Sequence, residues 1–226
     1  MAATIQETCY HKYEELREAA TDLLMRYLRH QARKKPFLVL LPGGNTPRPI
    51  YERVAREPVE LDPNLHIAVT DERHVSPSDP QSNIGTLLPM LEALGLPEKG
   101  RLCVHPARPL REAADLYDEQ LDHFTTSGGA LELALLGLGA DGHTCSLFTS
   151  EDLERGQDRW AIPVEREGGM NRISVTQKLL ARAHRIVFLA AGEDKRDIAG
   201  RLVHDPESII AGRAVAGADR VELWRC

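Results

Sequence analysis

The sequence predicts an α/β fold, a single doubly wound, mostly parallel sheet with helices on both faces in a Rossmann-like arrangement. Four short apolar runs are almost continuously hydrophobic, which is typical of parallel strands covered on both faces. Segments with helical spacing of apolar residues separate these runs, and such alternation of strand and helix indicates a parallel sheet. We expect all 226 residues to form one domain of this kind.

The elements follow in order from hydrophobic periodicity, beginning with a long amphipathic helix. The predicted helices are residues 14–33, 47–56, 83–94, 110–124 and 193–203. The predicted strands are residues 37–41, 65–69, 131–136 and 185–190. Three shorter segments, residues 161–164, 173–175 and 221–224, are expected to extend the sheet or to form its edge.

Composition excludes several classes of function. The net charge of −6 gives no electrostatic reason to bind nucleic acid, although a few basic residues at one place could bind a small anion. The four cysteines are widely spaced and form no CxxC pair, which argues against a zinc site and a dense disulfide framework. The amino terminus has no apolar signal region and no segment is long enough to span a bilayer. We therefore expect a cytoplasmic protein without a membrane partner, a monomer or weak homodimer.

Each of the four predicted strands is followed at once by an unusual loop: residues 42–47, 71–74, 137–143 and 192–195. The carboxyl ends of parallel strands lie along one edge of a sheet, and ligands bind there, where the strand order reverses. The four loops are therefore predicted to line one crevice.

The first loop has the features of an anion site. Gly43 and Gly44 would let backbone amides approach an anion, and Asn45 or Thr46 could cap the helix that follows. A tight turn with an N-cap is the alternative interpretation. No GK[ST] sequence follows, so a nucleoside triphosphate is not implied.

The second and fourth loops carry basic side chains. The guanidinium group of Arg73 suits a phosphate or a carboxylate, although Asp71 and its neighbours could equally form a solvated, self-paired cluster. Lys195 begins a predicted helix, where acidic residues are favoured, so an anionic ligand would explain its position.

The third loop is the most informative. Gly137, Gly139 and Gly142 permit a sharply folded segment, and His143 stands at its end. A histidine can act as a general base near neutral pH, although a single histidine is more often structural.

Several segments carry a resemblance to a known family. They are PGGNTP at 42–47, TDER at 70–73, SNIG at 82–85, GLGADGHTCSLF at 137–148 and GEDK at 192–195. In this order they resemble the 6-phosphogluconolactonase family of the glucosamine-6-phosphate isomerase/6-phosphogluconolactonase superfamily. The segment at 137–148 distinguishes this family from the related deaminases, because they have isoleucine in place of Thr144. The deaminases also have a DEY-like sequence at 71–73. Pro42, Asn45 and Thr149 depart from the family pattern.

The resemblance implies hydrolysis of 6-phosphoglucono-δ-lactone to 6-phosphogluconate, a step of the pentose phosphate pathway, without metal or cofactor. The only partner implied is this small sugar-phosphate substrate. His143 would be the general base, with Asp141 beside it shaping the loop. The residues implied in binding the substrate or its phosphate are Gly43, Gly44, Asn45, Thr46, Asp71, Arg73, Arg172 and Lys195.

Two other functions remain open at this stage. A hexosamine-phosphate isomerase or deaminase would use Asp71 to abstract a proton from carbon. A sugar-phosphate-sensing module would bind without turnover, but such regulators carry a DNA-binding segment for which residues 1–36 offer neither room nor basic charge.

Overall fold

The computed structural model describes residues 4–29, 31–57 and 59–226 and confirms the α/β prediction. Its strands are β1 (Ile5–Cys9), β2 (Phe37–Leu41), β3 (Leu65–Val69), β4 (Asp71–Arg73), β5 (Arg101–Leu102), β6 (Ala130–Gly137), β7 (Ala161–Val164), β8 (Arg172–Val175), β9 (Ile186–Ala190) and β10 (Val221–Arg225). Its α-helices are α1 (Tyr13–Leu28), α2 (Arg48–Val54), α3 (Asn83–Ala93), α4 (Leu110–Thr126), α5 (Ser150–Arg155), α6 (Gln177–Leu180), α7 (Arg196–His204) and α8 (Ile210–Ala214).

The main sheet has seven parallel strands in the order β1-β10-β9-β6-β2-β3-β5. From β2 the chain runs outward through β3 to β5, then returns to β6 on the other side of β2 and continues through β9 to β10. The strand order therefore reverses between β2 and β6. In open sheets of this kind, the crevice at the carboxyl ends of the two strands that flank the reversal is the usual ligand site.

The central strand β2 shows why the apolar runs are continuous. Phe37, Val39 and Leu41 pack into the hydrophobic cluster on one face of the sheet, together with residues of α1, α2 and α3. Leu38 and Leu40 pack into the cluster on the other face, which includes residues of α4 and α7. Because successive side chains of a strand point to opposite faces, a strand covered on both sides has no position for a polar residue.

The structure corrects several sequence-based predictions. The first helix ends at Leu28, earlier than predicted, because the carboxylate of Asp62 accepts hydrogen bonds from the backbone N–H groups of Gln31 and Arg33 and holds that segment outside the helix. Strands β1 and β5 were not predicted. The segment 71–73 was predicted as a loop but is a strand, β4.

The short β-like segments also differ from prediction. Strands β7 and β8 do not extend the main sheet but pair with β4 in a separate antiparallel sheet, in the order β4-β8-β7. Of the three short segments, only β10 joins the main sheet, where it lies between β1 and β9. Within the described part of the chain, no helix has the length and apolar character needed to cross a membrane.

Buried tyrosines hold the backbone at the carboxyl edge of the sheet. The hydroxyl of Tyr51 donates to the carbonyl of Pro42 just after β2, at 2.6 Å, and that of Tyr117 donates to the carbonyl of Val69 at the end of β3, at 2.7 Å. Burial raises the pKa of both phenols well above the ordinary value, so both hydroxyls keep the proton that they donate. The ends of two neighbouring strands are thus fixed by hydrogen bonds from helices on opposite faces.

The buried carboxylate of Glu72 satisfies the amino terminus of α3. It accepts hydrogen bonds from the backbone N–H groups of Asn83 (2.7 Å) and Ile84 (2.8 Å) and from the hydroxyl of Ser82 (3.1 Å). Burial raises the pKa of this carboxyl, and the hydrogen bonds partly offset that rise. Because the first N–H groups of a helix have no partner within it, Glu72 joins α3 to the small sheet.

We predict that Glu72→Gln destabilises the fold. The amide has only one acceptor oxygen, so its NH₂ group would face backbone donors that are left buried and unpaired, at a cost of about 1–3 kcal/mol. The melting temperature should fall by several degrees in thermal unfolding followed by circular dichroism. Glu119→Gln on the exposed face of α4 is the matched control, and equal melting temperatures for the two variants would contradict the capping role.

Candidate active site

A pocket of about 170 Å³ lies at the carboxyl edge of the sheet, beside the reversal between β2 and β6. It brings together five of the residues predicted from the sequence: Gly43, Asp71, Arg73, His143 and Arg172. The sequence analysis did not assign the pocket's other lining residues, which are Pro42, Thr70, Asn83, Gly137, Leu138, Gly139 and Cys145. Segments more than 120 positions apart in the chain therefore meet in one crevice.

The glycine loop after β6 presents His143 to the pocket. The backbone N–H of Gly139 donates to the carbonyl of His143 at 2.9 Å, which folds the loop back on itself. The imidazole lies so close to Gly139 that a Cβ atom there would overlap the ring. The hydroxyl of Thr144 donates to the carbonyl of Gly137 at 2.8 Å and closes the loop at its base. The glycine at 139 is thus required by the position of the imidazole.

Asp141 orients the imidazole of His143. One carboxylate oxygen, Oδ1, makes a short hydrogen bond with Nδ1 of His143 and also accepts from the His143 backbone N–H at 3.3 Å. Burial raises the pKa of Asp141, but these hydrogen bonds outweigh it and lower the pKa below its ordinary value. Because a carboxylate can only accept, the proton of the neutral imidazole is placed on Nδ1 and the lone pair of Nε2 is left free.

Aromatic packing supports the ring. The centroid of the Phe148 ring lies 4.5 Å from that of His143, at an interplanar angle of 41°. The guanidinium of Arg166 lies 3.9 Å from the Phe148 centroid, in the range of a cation–π contact. The imidazole is therefore held by a hydrogen bond at Nδ1 and by ring packing, and its side chain remains 29% exposed.

Two arginines lie side by side on neighbouring strands of the small sheet. Arg73 and Arg172 are register partners in the antiparallel pairing of β4 with β8, and like charges in such positions repel. Among the described residues, neither Nε atom has a hydrogen-bond partner although both are buried. Burial lowers the pKa of Arg172, Asp71 opposes this, and the charge of Arg73 adds to the lowering. An anion between the two guanidinium groups would relieve the repulsion.

The carboxylate of Asp71 is the centre of a buried hydrogen-bond network. Its Oδ2 accepts from the Ser146 hydroxyl at 2.6 Å and its Oδ1 accepts from the Thr70 hydroxyl at 3.1 Å. The side-chain amide of Asn83 donates to the Asp71 backbone carbonyl at 2.7 Å. The guanidinium of Arg172 lies 3.7 Å from Oδ2. Asp71 thus supports the pocket through contacts with groups of the protein.

Some predicted site residues lie outside the pocket lining. Asp141 is connected to the pocket by its hydrogen bond with His143. Gly44, Asn45 and Thr46 are not among the lining residues, and the carbonyl of Thr46 accepts from the hydroxyl of Tyr13 at 2.6 Å. The prediction that Asn45 or Thr46 caps the following helix is wrong, because Pro47 is the N-cap residue of α2 and no side chain caps it.

Lys195 lies in the 3₁₀ turn Glu193–Lys195 after β9, and its ammonium is 3.6 Å from the carboxylate of Asp194. The fourth loop does not line this pocket, which corrects the expectation that all four loops would. Because β9 adjoins β6 in the sheet, Lys195 is at the same carboxyl edge, and its contact with a phosphate stays a prediction.

Asn83 is a polar lining residue that sequence reasoning missed. It belongs to the SNIG segment, which contributed to the resemblance but was given no role. Its importance comes from burial and from contacts with β4, which the local sequence does not reveal. No three His, Cys, Asp or Glu side chains of the described residues are grouped so that they could hold a metal ion.

Comparison with known proteins identifies the family. Residues 11–223 match the family described as "Glucosamine-6-phosphate isomerases/6-phosphogluconolactonase". The chain belongs to this family. The resemblance in the sequence is thereby confirmed, and the match covers most of the fold and every residue of the pocket.

Individual family members point to one of its two activities. The 6-phosphogluconolactonase of Synechocystis sp. is 36% identical over 173 residues, covering 73% of this chain and 70% of the relative. That of Haemophilus influenzae is 30% identical over 196 residues, covering 84% and 83%. The crystal structure of the devB protein is 25% identical with a TM-score of 0.84, covering 98% of this chain and 95% of that chain.

We predict that inorganic phosphate binds between the two arginines. A charged hydrogen bond is worth about 1.5–3 kcal/mol, so Arg73→Ala should weaken phosphate binding roughly ten- to a hundredfold in isothermal titration calorimetry. The matched control is Arg182→Ala, because Arg182 is exposed and precedes β9, at the opposite edge of the sheet. Equal affinities of the Arg73 variant and the wild type would place the anion elsewhere.

Proposed function

We propose that this chain hydrolyses 6-phosphoglucono-δ-lactone to 6-phosphogluconate, with His143 as the general base that activates a water molecule. The observation that carries the proposal is the Asp141–His143 pair beside two arginines with unpaired donors, all at the carboxyl edge of the sheet. The names of the relatives indicate the substrate. The pocket has groups that could bind the phosphate of this substrate and a group that could act at its lactone carbon.

The phosphate is assigned to the arginine side of the pocket. Arg73 and Arg172 would neutralise its charge, and the backbone of Gly43 would approach it closely. Lys195 would add a third cation from the turn after β9. Binding the phosphate away from the reacting carbon converts that binding energy into orientation of the lactone ring.

The chemical step needs a base that takes a proton from water and later returns it to the leaving oxygen. Nε2 of His143 takes a proton from water, and the hydroxide forms a bond to C1 of the lactone while the carbonyl electrons move to oxygen. Asp141 stabilises the imidazolium through the hydrogen bond at Nδ1. The tetrahedral intermediate then collapses, the bond from C1 to the ring oxygen breaks, and His143 returns the proton to that oxygen. A lactone is an activated ester, so this cycle requires no covalent intermediate.

The isomerase or deaminase alternative requires Asp71 to take a proton from carbon. The side chain of Asp71 is only 9% exposed, and both of its carboxylate oxygens already accept hydrogen bonds from protein groups. A base so fully occupied would have to give up its partners before it could act. The geometry therefore favours the lactonase activity, as the names of the relatives do.

We predict that the purified protein accelerates hydrolysis of 6-phosphoglucono-δ-lactone above the spontaneous rate and that His143→Asn abolishes most of this acceleration. Asparagine keeps the approximate size of the side chain but cannot accept a proton at neutral pH, and general-base catalysis is worth about 10²–10⁴-fold. The kcat should fall by that factor while KM changes little. The assay follows acid release, with spontaneous opening subtracted.

The chain offers a close control in His184. Its Nδ1 also lies next to a carboxylate, 3.2 Å from Asp219, but it precedes β9 at the opposite edge of the sheet. His184→Asn should retain wild-type turnover. A folded His143→Asn variant with most of its activity would refute the assignment of the base, and release of ammonia from glucosamine 6-phosphate would favour the deaminase.

A further inference from the structure

One polar atom of the pocket has no function in the mechanism above. The side chain of Asn83 is buried, with only 2% of the residue exposed, and it lines the pocket beside Gly43 and Asp71. Its carbonyl oxygen, Oδ1, has no hydrogen-bond partner among the described residues. A buried acceptor without a partner costs free energy, so a persistent one in a pocket points to a ligand that supplies the missing donor.

The orientation of the Asn83 amide is fixed by its neighbours. Nδ2 donates to the backbone carbonyl of Asp71 at 2.7 Å and to its carboxylate at 3.3 Å. Exchanging the two ends of the amide would bring Oδ1 against these acceptor oxygens and lose both bonds. The free group is therefore an acceptor, and it cannot become a donor without breaking the contacts with Asp71.

Gly43 packs directly against this buried oxygen. A Cβ atom at residue 43 would overlap Oδ1 of Asn83, so any other residue there would displace or cover it. Both residues line the pocket, and His143 lines the same pocket. An acceptor of fixed orientation thus belongs to a residue in the wall of the pocket that a substrate would occupy.

The chemistry of the substrate decides which of its groups could pair with this oxygen. This step rests on the proposed function. The phosphate, the lactone carbonyl and the ring oxygen are all acceptors, and the phosphate charge would be repelled by another oxygen. Only the ring hydroxyl groups can donate.

We propose that Asn83 is a specificity-determining residue whose Oδ1 accepts a hydrogen bond from a ring hydroxyl group of the sugar lactone. The residue selects hydroxylated sugar lactones because a substrate without that hydroxyl leaves Oδ1 buried and unpaired. A pocket built to bind a hydroxyl group rejects an analogue that lacks it much more strongly than an apolar pocket rejects an extra one.

The test compares substrates and variants together. The 2-deoxy, 3-deoxy and 4-deoxy lactones, each phosphorylated at position 6, are hydrolysed alongside the parent lactone by the wild type and by Asn83→Ala. The wild type should lose roughly tenfold or more in kcat/KM on one of the three, the loss expected for one buried hydrogen bond. Asn83→Ala should hydrolyse that deoxy lactone and the parent at similar rates, because its acceptor is gone.

Ser146→Ala is the matched control for a structural role. It removes another hydrogen bond to Asp71, the one to Oδ2, but keeps the Asn83 oxygen. It should lower the rates on all substrates by a common factor and retain the discrimination of the wild type.

Two outcomes would overturn the inference. A wild type that hydrolyses all three deoxy lactones as fast as the parent has no such contact, and this measurement needs no variant to fold. An equal loss on every substrate in Asn83→Ala, with the discrimination retained, would mean that Asn83 only supports Asp71 or holds the attacking water. A wild type without activity on the parent lactone would contradict the proposed function as well, so the two failures are distinguishable.

Discussion

The arrangement of the site depends on the buried carboxylate of Asp71. Through Ser146 it holds the segment that follows the glycine loop, through Asn83 it contacts the first turn of α3, and Arg172 on β8 lies beside it. These groups come from segments far apart in the chain, and their contacts with Asp71 fix the positions of these segments relative to one another. A buried network of this kind is costly to break, because each member that loses its partner stays desolvated. The same residue that the sequence offers as a base is thus better understood as the support of the site.

Charge is distributed over the site in a way that matches a phosphorylated ester. The chain carries a net charge of −6, yet Arg73 and Arg172 are register partners on one side of the pocket. Asp71 compensates one of them only in part, at 3.7 Å, so a positive potential is left for an anion. Asp141 lies outside the lining and acts on His143. In the proposed assignment the anion is bound by residues of β4 and β8 and the base comes from the glycine loop, so the carboxylate beside the base lies outside the lining that would contact the phosphate.

The sequence predicts the parts of this structure whose causes are local. The strands at residues 37–41 and 65–69 were predicted with the observed bounds, because a strand covered on both faces is almost entirely apolar. The Asp141–His143 pair spans only two positions, so a glycine-rich loop suffices to form it. Strand β1 could not be found in this way, because only Ile5 of its five residues is buried and the rest are polar or exposed. The role of Asn83 depends on which end of its amide faces Asp71, and that is decided by a tertiary contact. The place of Lys195 outside the lining depends likewise on the path of the turn after β9.

The central claim is that Asp141 keeps the Nε2 lone pair of His143 free to take a proton from water. Nitrogen-15 NMR of the imidazole in its neutral form tests this most directly, because the chemical shifts of the two ring nitrogens report which one carries the proton. The account predicts a protonated Nδ1, hydrogen-bonded to Asp141, and an unprotonated Nε2. In Asp141→Asn the amide can donate to Nδ1 as well as accept from it, so the preference for this tautomer should weaken. A neutral imidazole with its proton on Nε2 in the wild type would contradict the account, since that ring could not accept a proton where the lactone binds.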